Sequence, residues 1–199
     1  MNFAVLASGN GSNLQAIITA VKSKKIKADL SVVISDRADA FVLVRARKAK
    51  IPTIVISPKD FSDRESFDRA LVDQLKRSSV DFVVLAGFMR ILSPHVIKSY
   101  PNKILNIHPA LLPAFKGAHA IKDAFEYGVK TTGVTVHFVD EQMDHGAIIC
   151  QEPVQILPKD TLKKLEQRIH AVEHKVYSKV IGLFAAGKLK VRGRSVSVS

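Results

Sequence analysis

The chain has 199 residues, of which 47% are hydrophobic and 24% charged, and a net charge of +12 at neutral pH. That balance belongs to a globular protein with a core of its own, not to a disordered segment, and the length fits one domain or a domain with an appendage. No apolar run approaches the roughly 20 residues that cross a bilayer. Met1–Leu6 lacks the basic and long apolar regions of a secretory signal. The single cysteine, Cys150, rules out an internal disulfide and suits a reducing, cytoplasmic setting. In Ile148-Ile149-Cys150 it reads as a packing residue. The basic charge favours anionic partners. No RNA-recognition aromatics and no zinc-finger spacing accompany it. Small anionic substrates are therefore expected as partners, and neither nucleic acid nor membrane.

Strand-like and helix-like segments alternate from the start. Phe3–Ala7 predicts a strand and Leu14–Ser23 a helix; Leu30–Ser35 a strand and Ala40–Lys50 a helix. Thr53–Ile56 is a short strand before a helix over Arg64–Ser78. Phe82–Ala86 is a strand, Ser93–Ser99 a short helix opened by Pro94, and Ile104–Ile107 the next strand. Nearly all-apolar strands in βαβ order predict an α/β fold: a Rossmann-like, mostly parallel twisted sheet with helices on both faces. The second half changes rhythm. Ala118–Tyr127 looks helical. Val134, Val136 and Phe138 alternate with Thr135, His137 and Val139, the period of a half-exposed strand, and Ile148–Ile156 is another strand. Leu162, Leu165, Ile169, Val172, Val176, Val180 and Leu183 recur at helical steps, with Asp160 able to cap the start and Gly187 past the end. One domain over residues 1–191 is expected, followed by a polar, frayed tail over 192–199.

Three stretches carry chemistry. Ser8-Gly9-Asn10-Gly11-Ser12-Asn13 joins the first strand to the first helix. Small residues there let backbone N–H groups turn towards an anion at a helix N-terminus. The stretch lacks a P-loop lysine, and Leu14 stands where a dinucleotide fingerprint needs its third glycine. The plainer alternative is a tight turn with Ser12 or Asn13 as N-cap. Next, Asn106 and His108 lie two apart at the end of an apolar strand and point to the same side. An amide beside an imidazole at a strand's carboxyl end could hold an oxyanion and move a proton; a histidine satisfied by backbone groups is the alternative. Third, Asp140, Glu141 and Asp144 lie in one inter-strand loop, where they could raise a nearby imidazole or sit solvated. His170-Ala171-Val172-Glu173-His174 also matches the H-x-x-E-H zinc pattern, but Val172 sits in the apolar stripe and no third ligand follows, so no metal is expected.

Taken in order, "VLASGNGSNLQAI", "VISDR", "VVLAGFMRILSP", "ILNIHPALLPAFKGAHA", "TGVTVHFVDEQMDHGAII" and "RIHAVEHKVY" resemble the glycinamide ribonucleotide formyltransferase family of purine biosynthesis over nearly the whole chain. The resemblance implies formyl transfer from 10-formyltetrahydrofolate, a co-substrate, to glycinamide ribonucleotide, by a monomer or homodimer without a metal. By motif match it places Asn106, His108 and Asp144 in catalysis, with Asp144 keeping His108 protonated. It places Gly11, Ser12 and Asn13 on the substrate phosphate, and His170 and Glu173 on the rest of that substrate. Arg64, Met89, Arg90, Ile91, Leu92, Asn106, Asp140, Glu141 and Asp144 fall on the folate. Ala110, Lys116, His145 and Ala147 depart from the family's usual residues in the loops around these positions. Related formyl-folate enzymes that act on tRNA or hydrolyse the folate are expected to carry an added domain.

Overall fold

A computed structural model describes residues 1–199. Its elements are β1 (Asn2–Leu6), α1 (Ser12–Lys22), β2 (Asp29–Ser35), α2 (Phe41–Lys48), β3 (Thr53–Val55), α3 (Arg64–Arg77), β4 (Phe82–Leu85), α4 (Pro94–Ser99), β5 (Ile104–His108), α5 (Ala120–Tyr127), β6 (Thr131–Phe138), β7 (Ile148–Gln155), α6 (Leu162–Ala185), β8 (Leu189–Arg192) and β9 (Ser195–Val198). Seven strands form one sheet in the order β3-β2-β1-β4-β5-β6-β7. The pairs from β3 to β5 are parallel, whereas β6 runs antiparallel to β5 and to β7. The chain builds outward from β1 to β3 and then returns to β4 on the other side of β1. This reversal opens a crevice at the carboxyl ends of β1 and β4, where ligands bind in open α/β sheets.

The parallel strands are apolar because both of their faces are covered. Phe3, Val5 and Ala7 enter one core layer with Leu14 and Ile17 of α1 and Ile169 and Tyr177 of α6. Ala4 and Leu6 enter the other with Phe67 and Leu71 of α3 and Val96 of α4. Alternate residues of one strand thus serve two cores. No helix is long and apolar enough to cross a membrane.

Three expectations are corrected. Helix α6 is capped by Thr161, whose side chain accepts from Lys164 N–H. Asp160 instead accepts from Leu157 N–H and from Arg168 at 2.6 Å, because its neighbours offer it a turn amide and a guanidinium. The polar tail is not frayed: β8 and β9 pair antiparallel around Gly193, which takes a left-handed φ of 59°. Val191 and Val196 of this hairpin pack against the core. Leu189 and Val191 alternate with Lys190 and Arg192, and Val196 and Val198 with Ser195 and Ser197, a period of two that the polar surroundings of the chain end made look like a solvated tail. Finally, the face of β6 expected to be half-exposed is buried, with Thr135 at 0% and His137 at 2% exposure, because the loop after His108 lies over it.

Candidate active site

A cleft of about 640 Å³ lies over the carboxyl edge of the sheet. Residues 9–13 form one end, residues 87–92 a side wall, and Asn106 and His108 the floor; Asp144 with its loop, and Glu166, His170 and Glu173 of α6, complete it.

The loop before α1 is held from α2. Arg45 donates to the Asn10 carbonyl and to its side-chain Oδ1, both at 2.9 Å, and Val42 N–H donates to Gly9. The N-cap of α1 is Gly11, at φ 76°, and no side chain caps the helix, so the reading with Ser12 or Asn13 as N-cap is set aside. The first-turn N–H groups of α1 are left for an anion. A Cβ at Gly11 would stand 2.7–2.9 Å from Val42, so substitution there would push α2 away rather than report on ligand affinity alone. Below the loop, Glu173 is 4% exposed. It accepts from Asn13 Nδ2 at 3.3 Å and from His170 Nδ1 at 2.7 Å. That hydrogen bond raises the His170 pKa, against the opposing effect of burial, and favours a cation beside the anion-ready loop. Asn13 thus spends its amide on Glu173, while its Oδ1 is buried without a partner.

On the floor, His108 is 4% exposed. Its Nε2 lies 2.8 Å from the Phe115 carbonyl, so this nitrogen carries the proton, and Nδ1 faces Asp144 Oδ2 at 3.4 Å. Burial lowers the His108 pKa, and this outweighs the upward pull of Asp144 and of the Phe115 carbonyl. The expectation that Asp144 keeps His108 protonated is therefore corrected. The carboxylate acts in the expected direction, but desolvation of the imidazolium is larger. Burial also pushes Asp144 up, yet the Gly117 N–H that it accepts at 2.9 Å, with the nearby imidazoles, holds its carboxyl below the ordinary range. Asn106 Nδ2 lies 3.1 Å from His137 Nε2, and His137 Nδ1 is 2.7 Å from the Phe138 carbonyl. His137 must donate from Nδ1, which leaves Nε2 as an acceptor. Its lone pair orients the Asn106 amide, whose second N–H is free.

The side wall is apolar and open. Met89 and Ile91 are exposed, Leu92 is buried, and the Arg90 guanidinium lies 4.7 Å from the centre of the Phe67 ring. Across the cleft, Asp140 lines the wall and accepts from His145 at 2.7 Å. Arg64 and Glu141 do not line the cleft: Arg64 turns towards the buried Asp68 at 3.8 Å, and Glu141 points to solvent. No three histidine, cysteine or acidic side chains gather closely enough to hold a metal ion.

A model of the formyl transferase family matches residues 1–181. The chain belongs to the formyl transferase family. It is 45% identical over 179 residues to a phosphoribosylglycinamide formyltransferase of Bacillus subtilis, covering 90% of this chain and 92% of that one. It is 48% identical over 192 residues to a trifunctional purine biosynthetic protein of Chironomus tentans, of which it spans only 14%. A solved glycinamide ribonucleotide transformylase from Symbiobacterium toebii superposes with a TM-score of 0.97 at 46% identity, covering 100% of this chain and 93% of that one.

In this formyl transferase the sequence reading overlooked two residues that shape the site. His137 looked like the outward member of an alternating strand; the signal was that its face carries Thr and His and no charge. Gly146 lies where a Cβ would stand 1.9 Å from the Phe138 carbonyl oxygen. The only hint was its place two residues after Asp144.

Proposed function

We propose that the chain transfers the formyl group of 10-formyltetrahydrofolate to the amine of glycinamide ribonucleotide, giving formylglycinamide ribonucleotide and tetrahydrofolate, in cytoplasmic purine biosynthesis. The observation that carries this reading is the meeting of Asn106, His108 and Asp144 on the floor of one cleft with an uncapped helix N-terminus at its end. The ribonucleotide phosphate would lie on the Gly11–Asn13 backbone and Ser12, with His170 and Glu173 fixing Asn13 and contacting the rest of that substrate. The folate would lie between residues 89–92 and the loop of Asp140 and Asp144, its flat ring against Met89 and Ile91. Arg64 and Glu141 flank this side.

In this reading the amine nitrogen attacks the formyl carbon and the carbonyl electron pair moves onto oxygen. The free Asn106 N–H meets that oxyanion, a donor placed where charge develops. The attacking nitrogen becomes cationic and must lose a proton. Neutral His108 takes it at Nδ1, through a water held by Asp144, and the carboxylate stabilises the imidazolium that forms. The folate N10 leaves as an amine and takes the proton back, so the imidazole is regenerated. The low resting pKa of His108 thus suits a group that first accepts a proton.

The test is consumption of 10-formyltetrahydrofolate with and without glycinamide ribonucleotide. Consumption is expected only with both; turnover of the folate alone would replace transfer by hydrolysis. Ser12→Ala is the cleaner probe of the phosphate site. It should raise the ribonucleotide KM by roughly 10-fold, the worth of a hydrogen bond to a charged group, with the folate KM unchanged. An unchanged ribonucleotide KM would remove Ser12 from that site.

A further inference from the structure

The turn of the β8–β9 hairpin reaches the loop that carries Asp144. Arg194 donates from Nη2 to the His145 carbonyl at 2.8 Å. Its Nη1 stands 3.4 Å from His145 Nδ1 and 3.2 Å from Nε2. Nearly equal distances to both ring nitrogens place the guanidinium over the face of the imidazole, because an in-plane hydrogen bond would bring one nitrogen much closer than the other. A guanidinium stacks well on a flat ring. His145 in turn donates from Nδ1 to Asp140 at 2.7 Å. The guanidinium over the ring face and the carboxylate hydrogen-bonded at its edge therefore link both arms of the loop through His145. The hairpin that supplies Arg194 is anchored, since Val191 and Val196 pack on the core. The other ties of the loop are local or inward: Gln142 N–H to Asp140, Phe138 N–H to the Ala147 carbonyl, and Gly117 N–H to Asp144. Arg194 fastens it from the solvent side. Asp144 itself holds a left-handed φ of 48°, a conformation that survives only where its surroundings hold it.

We infer that Arg194 is a positioning residue: through His145 it clamps the Asp140–Asp144 loop in the shape that receives the folate and presents Asp144 to His108. This rests on the proposed folate side of the cleft. Position and charge make different demands here. A residue that merely drew in an anionic folate would need only its positive charge. A clamp needs the planar fork, which stacks on His145 and reaches its carbonyl together.

Arg194 is exposed, so its variants should fold. Arg194→Ala should raise the KM for 10-formyltetrahydrofolate by roughly 3- to 10-fold and lower kcat by about the same factor, with the ribonucleotide KM unchanged, as expected when a loop on one substrate's side loses its order. Arg194→Lys should resemble Arg194→Ala. The backbone amide of Gly117, which donates to Asp144, should exchange its hydrogen faster in both variants of the protein without substrates. Full restoration by Arg194→Lys would overturn the clamp in favour of charge attraction. Unchanged folate KM, or unchanged exchange at the Gly117 amide, would overturn it outright. The exchange measurement reads the loop without turnover. Failure of the clamp therefore stays distinct from failure of the formyl-transfer reading, which would appear as an inactive parent protein.

Discussion

Asp144→Asn is expected to cut kcat by roughly 10²–10⁴-fold, the range for a lost acid–base group, while the Kd for glycinamide ribonucleotide barely moves. Asparagine keeps the size and tolerates the left-handed φ of 48°. It can still accept from Gly117 N–H, so what is lost is the charge beside His108. That charge pulls the His108 pKa upward against burial. Without it the imidazole should titrate lower still, which an NMR titration of His108 reads directly. Two pH consequences follow. Because neutral His108 accepts the first proton, the acid limb of the rate profile in the parent protein should lie below the ordinary histidine value of about 6.5 and move further down in the variant. The folded pKa of His108 is depressed, so its contribution to stability is present above about 6.5 and is lost as pH falls through the folded pKa. Asp144 is also depressed, so its contribution is present above about 3.8 and lost below that, and the stability difference between parent and variant should close in strong acid. A near-normal kcat, or a His108 titration that ignores the substitution, would reduce Asp144 to a loop carboxylate.

Gly146→Ala should be as damaging by another route. Its Cβ would sit 1.9 Å from the Phe138 oxygen and 2.8 Å from the Phe138 carbonyl carbon. Both belong to backbone that the bond from Phe138 N–H to Ala147 O holds against the other arm of the loop. No side chain can turn aside, so the arms must part and Asp144 must move with them. A displacement of about 1 Å at a catalytic group can cost 10²-fold in rate, and kcat should fall by at least that much, together with the melting temperature. Gly9→Ala is the control for stability: nothing lies within 4 Å of its Cβ, and its melting temperature should match the parent. A Gly146→Ala protein with parental kcat would show that the loop does not need this close approach.

What the sequence showed and what it hid divide along physical lines. The buried parallel strands, the apolar stripe of α6 and the strand-loop-helix at Gly11 are local patterns, and each is where it was expected. Asn106 and His108 were legible because a strand's alternation sets two residues on one side. The state of His108 was not, because it depends on how completely Phe115, His137 and the Asp144 loop exclude water, and burial overrode the sign argued from one neighbouring charge. Arg45 was passed over because its work is to hold Asn10 across 35 residues, which no local pattern reveals. The β8–β9 hairpin was missed because polar alternate residues resemble a frayed end.

The hydroxyl of Tyr177 lies 2.7 Å from the Leu85 carbonyl and 3.0 Å from that of Leu105, and Glu173, one turn earlier in α6, meets Asn13 across 160 residues. Both ends of the cleft are thus joined by a helix made after every other part of it. On the ribosome, a chain grown as far as β7 already contains Asn106, His108 and Asp144. Yet β4 and β5 still lack the phenol that bridges the Leu85 and Leu105 carbonyls, and Asn13 lacks its carboxylate. The reaction centre is encoded early, but it can close only when α6 has emerged and folded back onto the first loop of the chain.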